Sequence, residues 1–177
     1  MNGDLSSAEY EALRATIRER GTRRITLFWT TLAAWAVVFA MGMARGGGPL
    51  VALGALLLLA AGFEAVYSLH VGVERVGRYL QVFYEEADQL PAWERTAMAY
   101  GREPAGDGID PLFSTLFVAG LVLNLVPVVL TGRPIFIVAA LAAHAGVGWR
   151  IARARRYAAS QRARDLERFR KLKGVRS

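Results

Sequence analysis

The chain has 177 residues, 54% of them hydrophobic, and a formal net charge of +7. That length suits one domain. Cysteine is absent, which excludes disulfides, thiolate metal sites, covalent haem attachment and a cysteine nucleophile.

The first 24 residues are polar and carry four acids and five arginines. A cleaved signal peptide has a short basic leader instead, so the N-terminus is expected to be retained. Ser6 and Glu9 have capping-box spacing, and Tyr10, Leu13 and Ile17 repeat on one side. This predicts a short amphipathic helix over 7–20, ended by Gly21 ahead of the first apolar run.

Four apolar runs follow, at 25–43, 49–70, 111–131 and 134–151. Each is about long enough to cross ~30 Å of hydrocarbon at ~1.5 Å per residue. The first pair is joined by Ala-Arg-Gly-Gly-Gly and the second by Gly-Arg, links short enough for antiparallel hairpins. Backbone in lipid must satisfy itself, so helices are expected. The second run, PLVALGALLLLAAGF, offers water no polar face, which argues against a soluble bundle. The expected fold is all-α: a polytopic membrane protein with four transmembrane helices in two hairpins, helix 2 extending into the cytoplasm, and amphipathic or basic helices at the termini. Its parts are an N-terminal segment over 1–24, a transmembrane domain over 25–151 with a connection at 71–110, and a basic tail over 152–177.

Lys and Arg counts set the orientation. Five lie in the N-terminal segment, four in 71–110 and eleven from Arg150 onward, against one in each short link, Arg45 and Arg133. Both termini and the central connection are expected in the cytoplasm, as in a multi-pass protein of the inner (plasma) membrane. Trp29, Trp93 and Trp149 then all lie near the cytoplasmic interface, where indoles are favoured. Within the connection, Pro91 starts a predicted helix over 91–100, closed by Gly101. Residues 102–110 read as a loop, with Asp110 capping the third span.

On a helix continued through residue 85, Glu64, Tyr67, His70, Glu74, Arg78, Gln81 and Glu85 fall within one arc of about 120°. Val73, Val76, Leu80 and Phe83 lie on another side. Gly72 and Gly77 weaken such a helix by roughly 1 kcal/mol each. Glu64 is 15 residues after Pro49, or roughly 22 Å along the helix, which places it inside the cytoplasmic boundary of a ~30 Å core. A carboxylate there is costly unless protonated, paired or hydrated. No matching acid or base is counted at its level in the other spans. The structural reading is a glutamate satisfied by Tyr or Arg in the bundle or by interfacial water; the functional reading is a proton or cation relay, or a pairing site for another subunit.

Asn124 and His144 reach similar depths on the third and fourth spans, close enough to hydrogen-bond as interhelical glue. Pro127, one turn past Asn124, frees a backbone carbonyl. His70 and His144 differ in level by 11 residues, roughly 16 Å, which disfavours one bis-histidine haem within a subunit. No cofactor or metal is assigned. Small residues at Gly54, Gly62, Ala139, Ala142, Ala143 and Gly146 permit close helix packing.

The tail carries eleven bases against Asp165 and Glu167, a net +9, and 71–110 carries eight acids against four bases, a net −4. Ile151, Ala154, Ala158, Phe169 and Leu172 share one side of the tail helix. Arg150, Arg153, Arg155, Arg156, Arg162, Arg164, Arg168, Arg170, Lys171 and Lys173 are the candidate ligands for anionic lipid headgroups, and the tail can also pair with 71–110 within or between subunits. Nucleic-acid binding is not expected, because stacking aromatics and a recognisable module are missing. Phosphate-cradling glycine motifs, HExxH and GxSxG are absent. The leading expectation is a non-enzymatic accessory or scaffolding subunit that associates with itself or another membrane complex. The alternative is a small transporter or proton/ion conductor using Glu64, His144 and Asn124. A lipid-headgroup enzyme, with Glu74, Arg75, Arg78 and Tyr79, is a distant third.

Overall fold

The computed structural model describes residues 2–86, 93, 96, 111–130 and 132–176. All its elements are helical: α1 (Asn2–Ala44), α2 (Pro49–Leu80), a π-helical turn (Gln81–Glu85), α3 (Pro111–Asn124), α4 (Val126–Val129) and α5 (Pro134–Arg176). Three helices, Ser7–Ala44, Pro49–Glu85 and Pro134–Gly174, are long and apolar enough to cross a membrane, and Phe113–Val129 is a shorter apolar stretch. The predicted helix at 91–100, the loop at 102–110 and the Asp110 cap lie outside the described residues, apart from Trp93 and Thr96, both helical.

Gly21 does not end the first helix; α1 runs through it to Ala44. A terminating glycine takes a left-handed conformation, and the described glycines with positive φ are Gly46, Gly47, Gly48 and Gly132. These four occupy the two links, where φ values of 92°, 68°, 131° and 63° are open to glycine without steric cost. The third run also differs from one continuous helix. Pro127 has no N–H to give and its ring crowds the carbonyl four residues back. The backbone responds with tighter bonds, Leu125 N to Val122 O at 3.2 Å and Val128 N to Leu125 O at 3.1 Å, and α3 and α4 part at Leu125.

The chain divides into two compact units. The apolar unit contains Arg24–Tyr67 and Asp110–Arg155, and the polar unit contains Met1–Arg23, Ser68–Ile109 and Arg156–Ser177. In the apolar unit, Phe28 is fully buried and meets Phe113 and Phe117 edge-on at 4.6 and 5.7 Å, while Phe63 meets Phe117 at 5.5 Å. Such T-shaped pairs add to the area they bury. Gly62 lies directly against the Thr31 side chain, so its missing Cβ sets how closely α1 and α2 approach. Leu50, Leu57, Val122, Leu130, Ile135, Val138 and Trp149 are exposed. Large apolar side chains exposed in this number suit hydrocarbon better than water.

In the polar unit, Tyr79 stacks on Phe83, and Phe169 of α5 packs edge-on against both. Tyr10 of α1 meets Tyr84 at 5.5 Å. Leu80, Val82, Tyr84 and Ala158 are buried. The π turn closes with Glu86 N donating to Gln81 O at 3.0 Å. Leu172, expected on the apolar side of the tail, is 55% exposed.

Candidate functional site

Asn124 ends α3 with its side chain wholly buried. Its Nδ2 donates to the Ala52 carbonyl of α2 at 2.7 Å and lies 3.1 Å from His144 Nε2 of α5. His144 Nδ1 is 2.7 Å from the Ala140 carbonyl. A carbonyl only accepts, so Nδ1 carries the ring proton and Nε2 accepts from Asn124. One amide thus joins three helices, and both ring nitrogens of His144 are engaged. Asn124 Oδ1 has no hydrogen-bond partner among the described residues.

Glu64 departs from the expectation that no base lies at its level. Arg150 of α5 donates to it at 2.8 Å, and the two side chains are 38% and 46% exposed, Arg150 first. The guanidinium also lies 5.1 Å from the centroid of the Tyr67 ring, which in turn stacks on Phe63 at 6.0 Å. Glu64 is therefore paired and half-exposed instead of buried. Beside the pair is a cavity of about 220 Å³ lined by Ala60, Phe63, Glu64, Ala143, Gly146, Val147 and Arg150. A larger apolar cleft of about 770 Å³ shares Ala143 with it and is lined by residues 47–53 and Leu56 of the α2 side and by Phe136, Ala139, Ala140 and His144 of α5. Of the small residues singled out for packing, Gly62 meets a neighbour directly; a Cβ at Gly54 or Gly146 would meet nothing within 4 Å, and Ala139, Ala142 and Ala143 are exposed.

The lower polar stripe of α2 faces inward. His70, Arg78, Gln81 and Glu85 are all buried, as are Gln161 and Asp165 on α5. Arg78 Nη1 donates to Asp165 at 2.9 Å and Nη2 to Glu74 at 3.2 Å, one helical turn earlier. Arg75 Nε stands 4.0 Å from the same Asp165 oxygen. Arg78 and Arg75 together balance the two carboxylates, the pairing that a buried charge demands. His70 borders this cluster beside Ala158 and Gln161. On the α1 side, the Tyr79 hydroxyl donates to Glu9 at 3.0 Å.

Part of the tail is held by the α2 extension. Arg170 pairs with Glu86 at 2.7 Å, and Lys173 donates to the Val82 carbonyl at 2.6 Å. The hydrogen bond to Glu86, reinforced by the attraction of its charge, raises the Arg170 pKa further above its usual value. Lys171 pairs with Glu167 within the helix, and Arg164 bonds Ser160 and covers Tyr157. Arg153 covers Trp149 at 5.2 Å. Arg155 and Arg162 also have partners, while Arg156 and Arg168 are exposed.

Sequence reasoning expected a Tyr or Arg to satisfy Glu64 and allowed the tail to pair with 71–110, but it did not name the partners: Arg150 for Glu64, Asp165 for Arg78, and Glu86 for Arg170. For the first a signal exists, since Arg150 lies 16 residues after Pro134 and Glu64 lies 15 after Pro49. Compared with protein-family models, curated proteins and solved structures, the chain has no significant match.

Proposed function

We propose that this is a multi-pass inner-membrane protein with four spans in two hairpins and both termini cytoplasmic, acting as a non-enzymatic accessory or scaffolding subunit. The third span follows from length: residues 111–130 cover about 30 Å if helical throughout, even with the step at Leu125. The cytoplasmic orientation of the polar unit follows from its bases.

One observation carries the scaffolding reading. The mid-depth polar groups that a conductor would use are committed to helix contacts, with both amide hydrogens of Asn124 and both ring nitrogens of His144 in use. They act as glue between helices. The polar unit supports the same reading. Its buried Asp165 answers its own Arg78, and the exposed Arg156 and Arg168 remain to meet anionic headgroups.

The test is purification of the full chain at native expression in mild detergent, with stoichiometry measured by native mass spectrometry. A fixed-ratio oligomer or heteromeric complex is expected. A lone monomer that catalyses ion or solute flux in liposomes would sink the proposal.

A further inference from the structure

We infer that the seam between α2 and α5 in the apolar unit binds one phospholipid of the phosphoethanolamine class. Its phosphate sits on Arg150, its ammonium on Glu64, and an acyl chain in the apolar cleft. The inference rests on placing these helices in a bilayer; it does not rest on the scaffolding role.

The headgroup assignment follows from Glu64 and Arg150. Arg150 has five N–H donors, and the one directed at Glu64 leaves the rest of the fork available. Glu64 accepts through Oε2, and a carboxylate has room for further donors. Both side chains are partly exposed, at 38% for Arg150 and 46% for Glu64. A lone anion approaching Arg150 meets repulsion from Glu64, and a lone cation meets the reverse. A headgroup with adjacent phosphate and ammonium satisfies both with charge-assisted hydrogen bonds. A primary ammonium has three N–H donors for the carboxylate. A quaternary ammonium has none and needs an aromatic face, but the Tyr67 ring already stacks on Phe63 and carries the Arg150 guanidinium.

The acyl assignment follows from the cavities. The small cavity opens beside the ion pair, and Ala143 lines both it and the larger apolar cleft. From Glu64 to Leu50 is 14 residues, about 21 Å of helix, against the ~15 Å of one leaflet's hydrocarbon. A chain the length of a leaflet is shorter than this distance and can lie along the seam that the two cavities mark.

The test uses the full chain, delipidated in detergent and titrated with phosphatidylethanolamine, phosphatidylcholine or phosphatidylglycerol, with bound lipid counted by native mass spectrometry. Phosphatidylethanolamine should be retained about tenfold better than either other lipid, the scale of one charge-assisted bond. Glu64→Gln should abolish its advantage over phosphatidylcholine, and Arg150→Gln should weaken all three. Gly146→Leu introduces a side chain where a Cβ meets nothing; it should lower retention about tenfold without changing the melting temperature. Water-soluble glycerophosphoethanolamine should compete at least about 100-fold more weakly than the lipid, because it lacks the buried chain. Equal retention of the three lipids would overturn the inference. So would a preference untouched by Glu64→Gln, soluble headgroup competing as well as lipid, or a second copy of the chain displacing lipid. Cysteine labelling at residues 46 and 132 tests the bilayer placement separately.

Discussion

Replacing Arg78 with methionine probes the centre of the polar unit. Arg78 is 4% exposed and holds Asp165 at 2.9 Å and Glu74 at 3.2 Å. Methionine keeps the bulk and removes the charge, leaving two carboxylates without their shared cation. Breaking a buried pair from one side costs about 3–5 kcal/mol. Arg75, 4.0 Å from Asp165 and 56% exposed, offsets at most about 1 kcal/mol of this, because exposed pairs are weak. The expected loss is about 3 kcal/mol, or about 100-fold faster opening. Hydrogen exchange of the amides in 72–85 and 158–172 reads this locally. Adding Asp165→Leu to Arg78→Met removes the stranded acid most deeply buried and should recover more than half of the loss. A double variant as unstable as the sum of the single variants, or an Arg78→Met change under about threefold, would refute the reasoning.

Three further outcomes follow from the apolar unit and from orientation. Asn124→Leu removes bonds to Ala52 and His144 and should cost about 1–2 kcal/mol in mixed-micelle unfolding, with partial recovery on adding His144→Leu. Gly62→Ala forces the new methyl against Thr31 and should cost about 1–3 kcal/mol. Gly54→Ala meets nothing within 4 Å and should be neutral or gain up to about 1 kcal/mol in the same assay. Single cysteines on the cysteine-free background should label from outside at residues 46 and 132 and from the cytoplasm at residue 100; labelling of residue 100 from outside would invert the topology.

What the sequence revealed depended on whether one helix or two had to be known. Counting from Pro111 and Pro134 brought Asn124 and His144 to one depth, and the structure joins them. The same count from Pro49 and Pro134 pairs Glu64 with Arg150, but a base at the end of an apolar run reads first as a topology signal. The stripe from His70 to Glu85 was legible as one face of a helix. Its inward orientation was not, because that depends on Asp165 and Gln161 arriving from a segment more than 75 residues away. Gly21 marks the limit of local signals: a helix passes through glycine at a cost of only about 1 kcal/mol when neighbouring turns support it. Pro127 is the converse case, because a missing N–H and a ring clash act whatever the surroundings.

The central claim is that Asn124, His144 and Glu64 hold helices together and do not carry ions. Proton and cation flux through proteoliposomes of the wild-type chain, measured beside Glu64→Gln with oligomeric state monitored in parallel, tests it most directly. Flux equal to that of protein-free liposomes for both proteins, with unchanged assembly, is the predicted result. A wild-type flux abolished by Glu64→Gln while assembly stays intact would contradict it.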